Sequence, residues 1–373
     1  MRILLAAKWP HFPQGGGGLE RNTHELCRRL VRRGAKVAVI CDLNNDGSLL
    51  VLSNRIARAL LPARRFPADH YFGYPVYRGW PSEDGAAEVT AHFKPDVVIA
   101  QSAEPIPILH SFAGLGVPRM AYFHEVARAH NAGEIAEMGD VGLLANSEFT
   151  SRRMAEHAGY RPPVIRPLID RSLYETAMRP ANVLYVNTKP HKGLETAFAL
   201  AAARPDVQFE FVSSWYESAA EREEIARRAQ LAGNIRINPP TNDMRPLYAR
   251  ARLLLAPSTV EEAWGRVATE AHINGIPVLA STQGGLPEAV GPGGLLLPHD
   301  APVEAWAAAF SEIWDSPERY ERFSAAARAY SLRSEIQPDT IVDTFIKSVE
   351  LFLSGSRAPA RSRALGVALP AAG

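Results

Sequence analysis

The chain has 373 residues, 46% of them apolar and 22% charged, so it can bury an ordinary globular core and does not read as disordered, collagenous or coiled coil. Forty-one Lys and Arg against 40 Asp and Glu leave a net charge of +1, which gives no global field for a nucleic acid and makes any anion site local. Cys27 and Cys41 fall inside apolar-periodic segments, which disfavours a disulfide framework or a zinc cluster and points to a cytoplasmic protein.

The opening apolar run, 3–7, ends at Lys8, too short for a signal-peptide core, and reads as a β-strand. No uncharged apolar run reaches eighteen residues, so no membrane span is expected. Gly15 to Gly18 then open a helix over 19–33 that places Leu19, Thr23, Leu26, Cys27 and Leu30 on one face and stops at Gly34. The glycine run could meet an anion or a sugar hydroxyl with bare backbone N–H groups. It does not fit the nicotinamide fingerprint, since residues 8–14 intervene after the strand and Glu20 stands at the third glycine position. A flexible surface loop is the plain alternative, and Asp42, after a strand over 36–41, reads as a loop-starting acid rather than a ribose ligand.

Residues 49–66 combine Leu49, Leu50, Leu52, Ile56, Leu60 and Leu61 with Arg55, Arg58, Arg64 and Arg65. The expected arrangement is a helix with its apolar face in the core and its arginines in water. The alternative is a basic amphipathic surface in peripheral contact with anionic lipid, which would suit a lipid-linked acceptor. Further strands are expected at 97–101, 119–123 and 142–146, alternating with helices as in a parallel sheet covered on both faces.

A Pro- and Arg-rich stretch over 161–180 reads as a connector, after which alternation restarts with strands at 183–187, 207–212, 235–238, 253–256, 278–280 and 295–297. Helical segments follow at 306–314, 317–330 and 340–353. The pattern predicts two α/β domains, 1–168 and 176–335, then a final helical segment over 336–353. Residues 354–373 lack an apolar period and read as a disordered tail.

The stretch from Ser258 to Glu288 carries the chemistry. Glu262 precedes a helix beginning at Gly265, and Glu270 lies inside that helix after seven intervening residues. Asn274-Gly275 stops the helix and Pro277 leads into a buried strand. The first-turn N–H groups of Gly265, Arg266 and Val267 form a diphosphate receptor, and Gly284-Gly285 provides a second close-approach loop. Two carboxylates flanking such a helix start suit a nucleotide sugar, because each can accept hydrogen bonds from vicinal hydroxyls. Two surface glutamates on a solvated helix would not explain the glycine breaks and the buried strand.

Glu262, Glu270, Asn274-Gly275-Ile276-Pro277-Val278 and Gly284-Gly285-Leu286-Pro287-Glu288 together resemble the donor-site signature of the retaining glycosyltransferases of family 4. Gly17-Gly18-x-Glu20 resembles that family's amino-terminal glycine loop, and Phe123-His124-Glu125 its acceptor-side histidine segment. The resemblance, over roughly residues 1–350, implies the GT-B arrangement: two Rossmann-like domains facing across a cleft, with a C-terminal helix crossing back to the first. It further implies that Glu262 holds sugar hydroxyls, Glu270 the ribose hydroxyls, and His124 the transferred sugar. The loop at Asn238 and Pro239 would meet the base.

One departure stands out. The family places Gly-Arg at the end of the second domain's first strand and Lys-Gly a few residues on; here the strand ends Val186-Asn187-Thr188-Lys189, and only Lys192-Gly193 matches. Lys189 is the candidate substitute for the missing arginine, but a flexible point charge does not reproduce a planar fork, so weaker diphosphate binding, or a second cation from elsewhere such as Arg266, would follow. No Asp-x-Asp triplet occurs, so no metal and no cofactor are expected, and charge on the departing diphosphate falls to Lys192, Lys189 and helix-terminal donors.

The expected function is a retaining, metal-independent glycosyltransferase moving a hexose-type sugar from a nucleoside-diphosphate sugar, a UDP-sugar by family expectation, to a hydroxyl of a saccharide, a lipid-linked saccharide or a small molecule. The alternative is a nucleotide-sugar-binding subunit with weak or no transfer activity. A nicotinamide oxidoreductase ranks third.

Overall fold

A computed structural model describes residues 1–61, 63–101, 104–214 and 217–355. The alternation resolves into two sheets. The first holds β1 (Arg2–Ala6), β2 (Lys36–Asp42), β3 (Ala68–Asp69), β4 (Val76–Gly79), β5 (Val97–Ala100), β6 (Arg119–Phe123) and β7 (Val141–Ala145) in the order β3-β4-β2-β1-β5-β6-β7. All pairs are parallel except β3 with β4. Six helices accompany them: α1 (Gly18–Arg32), α2 (Leu49–Leu60), α3 (Ala86–Phe93), α4 (Pro105–Ser111), α5 (Asn131–Glu137) and α6 (Glu148–Ala158). Successive strand residues serve opposite faces, so Leu4, Ala6, Ala38 and Ile40 join one core cluster, and Ile3, Leu5, Val37 and Val39 the other. Both faces are covered, which is why these strands read as continuous apolar runs.

The strands β3 and β4 escape sequence reading because the first has two residues and the second carries a charge. That charge, Arg78, is 1% exposed; it pairs with Asp69 at 2.6 Å and donates to the carbonyls of His11 and Phe12. Asp42 accepts the Ser82 N–H at 2.7 Å, a loop contact in keeping with its plain reading.

The second sheet is wholly parallel: β8 (Asn182–Val186), β9 (Phe209–Val212), β10 (Ile235–Asn238), β11 (Ala251–Ala256), β12 (Val278–Ser281) and β13 (Gly294–Leu297), in the order β10-β9-β8-β11-β12-β13. It is flanked by α7 (Leu194–Ala203), α8 (Ala219–Ala232), α9 (Arg245–Tyr248), α10 (Arg266–Ile273), α11 (Leu286–Val290), α12 (Val303–Trp314) and α13 (Pro317–Tyr330). In each sheet the chain winds outward in both directions from a central pair, β1/β5 and β8/β11. The carboxyl ends of such pairs are where open α/β sheets bind ligands.

The last helix, α14 (Pro338–Leu353), completes the first domain rather than the second. Ile341, Val342, Phe345 and Val349 are buried with Ile3, Leu5 and Leu26, and Phe352 fills the space a side chain at Gly142 would need. Arg33 of the first domain pairs with Asp339 at 3.2 Å and Asp343 at 2.9 Å. Of the expected tail, Ser354 and Gly355 form the closing turn and residues 356–373 lie outside the described residues.

No helix among the described residues is long and apolar enough to cross a membrane. Two buried histidines set an acid limit on the fold. Burial pushes His272 down to about 3, and burial, with Arg78 adding to it, pushes His11 well below its ordinary value. The unfolded chain takes up these protons below pH 6.5 while the folded chain does not, so the stability each contributes is complete above that pH and declines on acidification. Each is expected to cost roughly 1.4 kcal/mol per pH unit in that window. Urea midpoints should therefore fall between pH 6.5 and 5.5, and a flat profile there would contradict the assignment.

Candidate active site

A cavity of about 410 Å³ opens where strand ends of both sheets meet. Its first-domain wall is Gly18, Leu19 and Asn22 of α1, His124 and Glu125 after β6, and Asn146 after β7. The opposite wall comes from the ends of β8 and β11, Lys192, Ser258, and residues 262–267. The volume lies within the ~300–1,000 Å³ typical of small-molecule sites.

Glu262 is held from behind. Gly285 N–H donates to its carbonyl at 2.6 Å within a parallel bridge between Glu262 and Gly284. Gly284 has φ +65°, and a Cβ there would lie 2.1 Å from that carbonyl oxygen. Gly284 and Gly285 thus pack on the chain's own backbone and are not on the cavity wall: the expected close-approach loop for ligand is a clamp on the Glu262 loop. The Glu262 carboxylate accepts Ser258 Oγ at 2.8 Å and pairs with Lys192 Nζ. Lys192 comes from a tight turn that ends at Gly193, φ +81°, where a Cβ would strike the Pro257 carbonyl.

Gly265, also left-handed at φ +95°, starts α10. The first helical N–H to find a partner is that of Ala268, which donates to Gly265 O at 3.1 Å. The N–H groups of Gly265, Arg266 and Val267 have none among the described residues, and all three residues line the cavity.

The Arg266 side chain does other work. Its guanidinium donates to the Leu168 carbonyl at 2.9 Å and the Tyr174 hydroxyl at 3.2 Å, and lies 3.5 Å from Glu25 and 3.6 Å from Glu270. It is a strut between α10, the connector and α1, so it is not a spare cation for a diphosphate. A second clasp joins the domains where Glu288 accepts the first N–H groups of α6, from Glu148 at 2.9 Å and Phe149 at 2.5 Å.

His124 sits at the end of β6, its ring 4.0 Å from that of Tyr122 and its Nε2 3.3 Å from Gln101 Oε1. Burial, helped by the Arg266 charge, pushes it down to about 3, so the imidazole is neutral at pH 7. Burial raises Glu125 next to it.

Five further predicted donor-side residues stand off the cavity wall. Glu270 is 5% exposed and behind the wall, where it accepts the Tyr248 hydroxyl at 2.7 Å; its position one turn into α10 points it at the core. Lys189 turns to Glu221 at 2.8 Å, off the wall. Asn238 is buried against Glu210 at 3.3 Å and Pro239 is exposed, neither lining the cavity. Gly17 is the N-cap of α1, one residue short of the wall that Gly18 reaches.

At the strand end that departs from the family pattern, Asn187 adopts φ +75° and lines the cavity, a conformation Asn tolerates where glycine is usual. Thr188 is buried and donates to Glu217. Sequence reading missed Asn22, Asn146, Ser258 and the Arg266 strut. Asn146 follows a strand by one residue and Ser258 precedes Glu262 by four, so both were within reach of the strand-end rule; the strut, whose partners are up to 241 residues apart, was not.

Two family models match the chain: "Glycosyltransferase Family 4" over residues 16–173 and "Glycosyl transferases group 1" over residues 180–316. A D-inositol 3-phosphate glycosyltransferase of Streptomyces griseus is 39% identical over 112 residues, 29% of this chain and 24% of that protein. The match thus spans about a quarter of that relative's length. A glycogen synthase of Mycobacterium tuberculosis is 26% identical across 96% of this chain and 95% of its own. Among solved structures, the HepE protein of Anabaena in complex with UDP and glucose superposes with a TM-score of 0.72 at 19% identity, covering 93% of this chain and 99% of that one. A sucrose-phosphate synthase of Thermosynechococcus elongatus gives 0.77 at 16% identity, covering 95% and 100%. The paired domains, their order in the chain and the fold they share with these structures make this chain a glycosyltransferase of family 4, built on the GT-B fold.

Proposed function

We propose that the enzyme transfers a hexose-type sugar, with retention of configuration, from a nucleoside-diphosphate sugar to a hydroxyl acceptor. The observation that carries this reading is convergence: Glu262, Lys192 and the three unpaired amides at 265–267 line one cavity with His124 of the other domain. Amides and ammonium would meet the diphosphate, Glu262 the sugar hydroxyls, and neutral His124 would accept or donate one hydrogen bond to the sugar without acting as a base. With no enzymic nucleophile assigned, the departing phosphate takes the acceptor proton.

Charge on that leaving group is met by Lys192 and the helix start, so the scheme uses no divalent cation or other cofactor. UDP is the favoured nucleotide, since HepE of Anabaena binds UDP and glucose. The acceptor is a saccharide, a lipid-linked saccharide or a small metabolite, met in the cytoplasm or at the inner face of the membrane.

A binding subunit with little transfer is the second reading, favoured by one observation: Thr188 is spent on Glu217 and Lys189 on Glu221, which leaves Lys192 to balance two phosphates. A thermal-shift panel of nucleoside-diphosphate sugars separates these. The true donor is expected to stabilise the protein by about 2.7 kcal/mol at a hundred times its Kd, and Lys192→Ala to remove most of that shift. Stabilisation without turnover across acceptors selects the binding subunit; no shift with any donor refutes both.

A further inference from the structure

The first domain presents more at its strand ends than the cavity uses. From Glu125, past the end of β6, the carboxyl ends of β5, β1, β2 and β4 follow side by side. Trp9 stands three residues beyond β1 and Trp80 directly after β4, and they are 57% and 75% exposed. The other described tryptophans, Trp264, Trp306 and Trp314, are buried or half-buried. Two large apolar side chains left in water on loops at the ligand-binding end of a sheet mark a surface built for contact.

Charged groups join the two indoles to the cavity. Lys8 Nζ lies 2.7 Å from Glu104, beyond β5, and 3.5 Å from Glu83, in the helical turn Ser82–Gly85 that follows Trp80. Its charge also reaches Asp42 at the end of β2. Arg128 acts on Glu104 and on Glu125 alike, which carries the band to the cavity wall. There the Glu125 carboxylate lines the cavity and accepts no hydrogen bond among the described residues.

We propose that this band is the acceptor groove and that it takes a neutral oligosaccharide, with the terminal ring beside Glu125 and the outer rings laid on Trp9 and Trp80. The inference rests on the reading of the cavity as a sugar-transfer site and names the acceptor of that site. A pyranose ring offers a face of C–H bonds and an equator of hydroxyls. The face stacks on an indole, and the hydroxyls bond to carboxylates and an ammonium. Asp42, Glu83, Glu104 and Glu125 outnumber Lys8 and Arg128, so a phosphorylated or uronic chain would meet like charge. Length excludes a single small metabolite as the whole occupant: the four steps from β6 to β4, at about 4.8 Å each, span roughly 19 Å, which several linked rings are needed to cover.

Calorimetric titration of the full chain, with and without UDP, tests the groove. The probes are the malto-, cello- and manno-oligosaccharide series from disaccharide to pentasaccharide, with glucose 6-phosphate as the anionic control. In at least one series the affinity is expected to rise about tenfold from disaccharide to tetrasaccharide, each ring stacked on an indole adding about two- to tenfold. Trp80→Ala should erase most of that rise and leave the disaccharide affinity and the melting temperature unchanged, because the side chain lies on the surface. The tetrasaccharide should shift tryptophan emission to shorter wavelength in the wild type and not in Trp9→Ala/Trp80→Ala. No binding by any series, one affinity at every chain length, tighter binding of glucose 6-phosphate than of every tetrasaccharide, or wild-type affinities in the double variant would overturn the proposal. So would a dimer in sedimentation that the double variant dissociates without saccharide binding. Donor-induced thermal shifts, read separately, report on the cavity alone, so failure of the transfer reading and failure of the groove show in different measurements.

Discussion

Glu262→Ala is expected to lower sugar transfer by about 10² to 10³-fold while leaving the melting temperature nearly unchanged, the size of loss seen when one group aimed at a developing charge is removed. Two features make the expectation specific. The carboxylate faces the cavity and its Lys192 partner is partly solvated, so truncation leaves no deeply buried charge behind. The loop itself is fixed through backbone contacts to Gly284 and Gly285, which the substitution does not touch. Glu262→Gln keeps the Ser258 hydrogen bond and loses the charge opposite Lys192, so it should recover donor binding more than turnover. Steady-state kinetics with a donor found by thermal shift provides the check. Wild-type kcat/KM in Glu262→Ala would remove this residue from the mechanism.

Arg266→Met is expected to act on stability before activity. The guanidinium sits among Glu25, which is 4% exposed, and Glu270, which is 5% exposed, and it bonds two groups outside its own helix. Removing it strands two carboxylates in a place that water does not reach, a change that costs about 3–5 kcal/mol. Because the partners lie on α1 and the connector, the loss should fall on the coupling between domains. One calorimetric transition should broaden or split into two. Glu25→Gln added to Arg266→Met should restore part of the loss by removing one of the stranded charges. A melting profile of Arg266→Met that overlays the wild type would show that the strut carries no such energy.

The fold was legible because each buried parallel strand is a short apolar run, and eleven such runs needed only their spacing to be placed. What escaped was polar by design. In β4, Arg78 breaks the run, and nothing local announces that Asp69 and two carbonyls will satisfy it. At the site, the residues that reach the cavity are those fixed by local geometry: Glu262 before the helix, the amides at its start, His124 past a strand end. The ones that stand elsewhere were captured by distant partners. Glu270 is taken by Tyr248, Lys189 by Glu221, and Asn238 by Glu210. Such pairings depend on tertiary placement, which spacing along a chain does not encode. On α2 the sequence pattern was read correctly as amphipathic, but periodicity alone assigns no direction to an apolar face: Leu50 and Val51 are buried, while Leu49, Leu52, Ile56 and Leu60 stand exposed.

The position of α14 has a consequence for how the protein is made. Ile341, Val342, Phe345 and Val349 belong to the cluster beneath β1 and β2, yet they leave the ribosome only after every strand of the second sheet. A nascent first domain therefore waits with an apolar face uncovered while about 160 further residues are synthesised, some tens of seconds at slow elongation. The later domain can finish first, and the earlier one closes last.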